Sequence, residues 1–141
     1  MRAVFFDSWA WISIANPDDT YHAKAVEFYK EYLEERNVPV TSDFVMAEVF
    51  TILRRTMAFD AVVSFGENFY SLAKSESIKL ESITRKRQEK AWNLFKHYRD
   101  KPDISFTDFT SFIVTKELKI LEVFTGDKHF EQIGMGFSRV P

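Results

Sequence analysis

Cysteine is missing from all 141 residues, so neither a disulfide framework nor a thiolate zinc site is available to this chain. That absence fits a reducing compartment. Long apolar runs are missing as well. Nothing approaches the roughly 18 uninterrupted apolar residues of a membrane span, and the apolar stretch at 3 to 6 meets Asp7 too early to serve as a secretion signal. The expectation is a soluble, cytoplasmic protein with no membrane partner. Nor is there an excess of charge of one sign: 19 Lys and Arg stand against 21 Asp and Glu, a formal net charge of −2. This argues against a charge-dominated, histone-like binder of nucleic acid, so any such contact has to come from local basic patches. Internal repeats and low-complexity segments are also absent.

What is present is the balance of a folded globular chain, 45% hydrophobic and 28% charged. The length accommodates one domain, expected to span residues 1–141, with no room for a second of ordinary size. Fifteen Phe, five Tyr and three Trp form a heavy aromatic load. Most of it belongs in a core, and a surplus is available for a subunit or partner interface.

The run Ala3 to Phe6, ending on Asp7, has the pattern of a central strand buried on both faces. A helix is expected from about Trp9 to Ala15, and a second, opened by Asn16-Pro17-Asp18-Asp19, to about Arg36. Val38 to Thr41 reads as a strand feeding a helix from Phe44 to Met57, with N-cap chemistry at Ser42-Asp43. Helices follow at 61–73 and 85–98, with a strand at 78–81 between them. Ser105-Phe-Thr-Asp108 resembles a capping box opening a helix to Leu118. Strands are expected at 120–124 and 137–140. Alternating short strands and helices predict a three-layer α/β/α sandwich on a mostly parallel sheet of four to five strands. Ligands in such folds gather beyond the carboxyl ends of the strands.

Four acids stand out against that plan. Asp7 follows the first strand, either at the sheet's carboxyl edge or as an N-cap of the next helix. Glu48 sits in a helix apolar almost all round. Its neighbours one turn away are Phe44, Thr51 and Ile52, so no basic residue of its own helix can pair with it. Its partner is a metal ion, a cation from another segment, or solvent at a rim. Asp108 doubles as the reciprocal acid of the capping box, and Asp127 beside Gly126 doubles as a turn residue. Taken together, the four carboxylates can converge at one edge of the sheet. Converging carboxylates raise one another's pKa unless a cation neutralises them. The hard cation suited to such a set is Mg²⁺, with Mn²⁺ as the other choice.

The segments Val4-Phe-Phe-Asp7-Ser8-Trp-Ala-Trp-Ile, Thr41-Ser-Asp-Phe-Val-Met-Ala-Glu48-Val, Ser105-Phe-Thr-Asp108-Phe-Thr-Ser111 and Val123-Phe-Thr-Gly-Asp127-Lys-His-Phe130, with Gly136-Phe137 after them, follow one another along nearly the whole chain. In that order they resemble the PIN-domain ribonucleases, specifically the VapC-type toxins of prokaryotic toxin–antitoxin pairs. The resemblance implies that Asp7 and Asp108 bind Mg²⁺ most directly, with Glu48 and Asp127 completing the acidic pocket. It also implies that Ser8 and Thr107 position water or phosphate. Asp103 is a fifth candidate acid or a loop residue. Gly126 departs from the family pattern, where a side chain is expected. The implied activity is metal-assisted hydrolysis of RNA by a toxin that dimerises and is restrained by an antitoxin protein. His22, His97 and His129 are expected to be structural or exposed rather than general bases.

Basic clusters at Arg54-Arg55, Arg85-Lys86-Arg87 with Lys90, Lys96 to Lys101 and Lys128-His129 are either RNA phosphate contacts or solvated helix faces. The apolar helix around Phe59, Val62, Val63, Phe65, Phe69 and Tyr70 reads by default as core, with an interface as the alternative. A catalytically silent PIN-like module that binds RNA or protein is the competing reading. A phosphotransfer receiver is excluded because Ile78 to Thr84 lacks an Asp. An aspartate-based phosphatase is excluded because position 9 is Trp.

Overall fold

Val4, Phe5 and Phe6 have no polar face to offer solvent, and all three are fully buried in β1 (Val4–Phe6). The computed structural model describes residues 2–141. After β1 come α1 (Ser8–Ala15), α2 (His22–Glu34), β2 (Val40–Ser42), α3 (Asp43–Thr56), α4 (Phe59–Lys74) and β3 (Lys79–Glu81). They are followed by α5 (Arg85–His97), α6 (Phe106–Leu118), β4 (Glu122–Phe124), α7 (His129–Gln132) and β5 (Ser138–Val140). The strands form one five-stranded sheet in the order β3-β2-β1-β4-β5, with every pairing parallel. Helices flank it as an α/β/α sandwich of the PIN type. The apolar β1 is central, and the edge strands β3 and β5 carry the exposed residues Lys79 and Ser138.

Local chemistry fixes most element ends. Ser42 Oγ accepts from Val45 N–H at 3.1 Å and starts α3 directly out of β2. Ser105 and Asp108 make both bonds of a capping box at the start of α6. The second helix starts later than the sequence suggests. Asn16 Oδ1 accepts from Asp18 N–H at 3.0 Å, and Asp19 Oδ1 accepts from Tyr21 N–H at 2.8 Å. These short side chains satisfy backbone donors in turns rather than opening a helix, so α2 begins at His22. The last long strand is shorter than expected, since Lys119 takes a left-handed φ of 57° to end α6 and Ile120 N–H still bonds Thr115 O.

The default reading of the 59–70 helix as core holds for Val62 and Phe69, which are buried, and for the half-buried Phe65, which packs against the core. Phe59, Val63 and Tyr70 are 58%, 41% and 53% exposed, and together with Phe50, Arg54 and Gly66 they line an open groove. The aromatic surplus is therefore on the surface. Of the basic clusters, Arg87 and Lys90 are tied to Glu117, and Arg87 also to Glu81, which makes that part of α5 an ion-paired face rather than a phosphate contact.

Candidate active site

Parallel pairing of β1 and β4 sets Phe6 opposite Phe124, so the next residues, Asp7 and Thr125, leave the sheet side by side. Asp7 N–H donates to Phe124 O at 3.2 Å, and Thr125 Oγ1 donates to Asp7 Oδ2 at 2.9 Å. Asp7 occupies the N-cap position of α1, but its side chain makes no capping bond. The cap alternative thus fails for Asp7, whose buried carboxylate turns to β4 instead. Thr125 Oγ1 also accepts from Asp127 N–H at 3.0 Å, and Asp127 Oδ1 accepts from His129 N–H at 3.0 Å. The turn after β4 is thereby locked onto the end of β1.

Asp108 serves its helix and the cluster together. Its Oδ2 accepts from Ser105 N–H at 3.1 Å as part of the capping box and lies 2.9 Å from His129 Nδ1. The same His129 nitrogen lies 3.0 Å from Asp127 Oδ2. Ligand atoms of Asp108, Asp127 and His129 all fall within 4.8 Å of one another. Glu48 approaches from α3, where its Oε1 accepts from Ser8 Oγ at 3.0 Å. Ser8 is the first residue of α1, so the expected flanking hydroxyl acts here by orienting a carboxylate.

The electrostatics bind the four acids into one unit. Burial raises the Asp7 pKa to about 7, with repulsion from Asp108 and then Glu48 adding to it and the Thr125 hydrogen bond opposing it. Burial also raises Glu48, helped by Asp108 and Asp127 and opposed by Ser8. Asp108 is raised by burial and by Asp127, while His129 and Ser105 pull it back. A cation is what such a set lacks. The carboxylates of this set fit a hard divalent ion, and the His129 imidazole is held between two of them.

All four expected acids converge at the carboxyl edge of the sheet. His129, expected to be structural or exposed, bridges two of them through Nδ1. His22 is structural as expected, with Nδ1 at 2.8 Å from Ser13 O, and His97 is exposed. Thr107 is half-buried and Asp103 exposed, and neither is tied into the cluster by a hydrogen bond among the described residues. Thr125 was missed. Its place two residues before Asp127 was the available signal, because Ser and Thr hydroxyls bond backbone two residues on. The departure at Gly126 has a physical cause: a Cβ there would lie 2.3 Å from Trp9 Cε2, so the indole occupies the space a side chain would need.

A family model described as PIN domain matches residues 4–135. Among solved structures, VapC20 from Mycobacterium tuberculosis, a sarcin–ricin loop cleaving toxin, is 26% identical to this chain. The two superpose with a TM-score of 0.81 over 98% of each chain. The comparison with curated proteins gave no match.

Proposed function

The chain belongs to the PIN-domain family, and on that premise we propose that it is a divalent-metal-dependent endoribonuclease, the VapC-like toxin of a toxin–antitoxin pair. The observation that carries the reading is the convergence of Asp7, Glu48, Asp108 and Asp127 on one site, with Asp7 pushed up to about 7 by its burial and then by its acidic neighbours. These four are the proposed catalytic and metal-binding residues, with Mg²⁺ the ion and Mn²⁺ a substitute. Bound there, the ion would lower the pKa of a water and stabilise charge on the phosphate. The chain's own part is orientation. Thr125 fixes the Asp7 carboxylate, Ser8 fixes Glu48, and Ser105 with His129 fixes Asp108.

Likeness to a toxin that cleaves the sarcin–ricin loop supports RNA as substrate, and unpaired loop nucleotides are the class a small endonuclease reaches most readily. An antitoxin protein and a second copy of the chain are the proposed partners, and the exposed apolar face of α4 supports a protein interface. Absence of cysteine supports a cytoplasmic location. Among the described residues no helix is long and apolar enough to cross a membrane.

The deciding experiment is cleavage of a structured RNA pool with Mg²⁺, with EDTA, and by the Asp7→Asn and Asp108→Asn variants. Cutting is expected from the wild type with Mg²⁺ and from none of the others. Equal cutting by the wild type and both variants overturns the assignment.

A further inference from the structure

Beside the acidic cluster lies a pocket of about 310 Å³, whose lining includes Trp9, Tyr21, Lys24, Thr125, Gly126 and Arg139. It shares Thr125 with the acids, since the residue whose hydroxyl donates to Asp7 is also part of this lining. The pocket depends on sequence features outside the four acids. Gly126 leaves room for the Trp9 indole, and the Trp9 ring lies 5.2 Å from the ring of Tyr21 at 46°. Tyr21 is 51% exposed although aromatic. It is not on a loose loop: its N–H bonds Asp19 Oδ1, which also accepts from Ser13 Oγ at 3.2 Å.

The polar groups complement the rings. Arg139 is held at the wall by Nε to Glu131 Oε1 at 2.7 Å and by Nη1 to Gly126 O at 2.9 Å. Lys24 is exposed and has no ion-pair partner among the described residues. Two aromatic rings with fixed hydrogen-bonding groups and a free cation, in a cavity of small-ligand size, are what an unpaired base with its phosphate requires. Base stacking on aromatics is worth about 1–3 kcal/mol per base, and the cation adds phosphate attraction. A duplex cannot present a base face to such a slot without unstacking and breaking a pair.

The geometry points to this pocket as a binding slot for one unpaired RNA base adjoining the scissile position, with the exposed Tyr21 ring as its stacking platform, the Trp9 ring packed against Tyr21 as its support, and Lys24 as its phosphate contact. The inference rests on the nuclease reading for the identity of the polymer, and binding tests it apart from cleavage.

The test uses Asp7→Asn protein, so that RNA stays intact, with a fluorescein-labelled unstructured 12-nucleotide RNA and a 12-base-pair RNA duplex as probes. Adding Tyr21→Ala is expected to weaken single-strand binding about 10-fold and to leave duplex binding unchanged, while Tyr21→Phe restores the single-strand affinity. As a second readout, single-stranded RNA quenches Trp9 emission, taken as the difference between proteins with and without Trp9→Phe. An unchanged single-strand Kd, an equal loss on duplex, or no Trp9 quenching overturns the slot. If these binding results hold and the wild type cuts no RNA, the nuclease reading fails and the slot stands. If cleavage follows the acids and Tyr21→Ala binds as its parent does, the slot fails and the nuclease stands.

Discussion

The metal-free protein holds a proton on Asp7 more tightly than the unfolded chain does, because its pKa is about 7 in the fold against about 3.9 in model peptides. A raised acid contributes stability that is fully present below the unfolded value and is lost as pH rises through the folded one. Urea denaturation of the metal-free protein should therefore show stability falling between pH 4 and 7, by roughly 4 kcal/mol if Asp7 acts alone. Asp7→Asn should flatten that slope and remove the stabilisation by Mn²⁺ expected of the wild type, about 2.7 kcal/mol at 100 times the Kd. The same slope in both proteins contradicts the assignment of Asp7. At Gly126 the expected effect is steric. Gly126→Ala drives a methyl into Trp9 and should cost about 1–3 kcal/mol as overpacking does. Adding Trp9→Ala should recover much of that loss in a double-mutant cycle, whereas additive losses would show that the indole is not the obstacle.

Among the elements, α6 does the most for the site. Residues Asp108 to Thr115 are all buried, so the helix cannot tilt freely. Its buried threonines satisfy themselves on their own helix, Thr110 Oγ1 to Thr107 O and Thr115 Oγ1 to Ser111 O. Its first turn is fixed by the capping box, in which Asp108 participates. Ser105→Ala removes one bond of that box and should lower stability by about 1 kcal/mol in thermal melts. It should also reduce the Mn²⁺ melting shift, because the first turn that carries Asp108 loses the Ser105 Oγ bond to Asp108 N–H. A full Mn²⁺ shift in a destabilised Ser105→Ala protein would mean that the cap serves the helix alone. α1 and α3 divide the remaining work, since the Ser8 hydroxyl at the start of one holds the Glu48 carboxylate on the other.

At the scale of the whole molecule, the acidic edge of the sheet and the apolar face of α4 are distinct surfaces. Phe59 and Tyr70 are more than half exposed, and Phe59 carries Arg54 over its ring at 5.3 Å. Such a face supports association with a second copy or an antitoxin. Phe59→Ser with Tyr70→Ser should leave the monomer's melting temperature nearly unchanged, as these side chains bury little. If the proposed dimer uses this face, the pair should lower the mass measured by analytical ultracentrifugation from dimer to monomer. An unchanged mass would move the dimer contact elsewhere on the surface.

Strands, helices and the four acids were legible in the sequence because each rests on near neighbours. A run of three apolar residues makes β1, Ser42 and Ser105 announce their helices, and Glu48 shows no partner within a turn on its own helix. Asp108 and Asp127 were legible both as helix or turn chemistry and as candidate site residues, and in the fold their helix and turn bonds hold them beside each other. The start of α2 was misread because Asn16 and Asp19 bond turn backbone, which composition does not distinguish from helix opening. The rest was set by distance in space. Thr125 meets Asp7 through strand register over 118 residues of chain, and His129 reaches Asp108 across 21. Gly126 departs from its family pattern because Trp9 fills the space above it. The sequence by itself therefore determined which acids the proposed site contains, since local pattern encodes strand ends and helix starts. Only the tertiary structure decided what holds those acids in place and what lies beside them, because parallel pairing brings together residues that no local pattern relates.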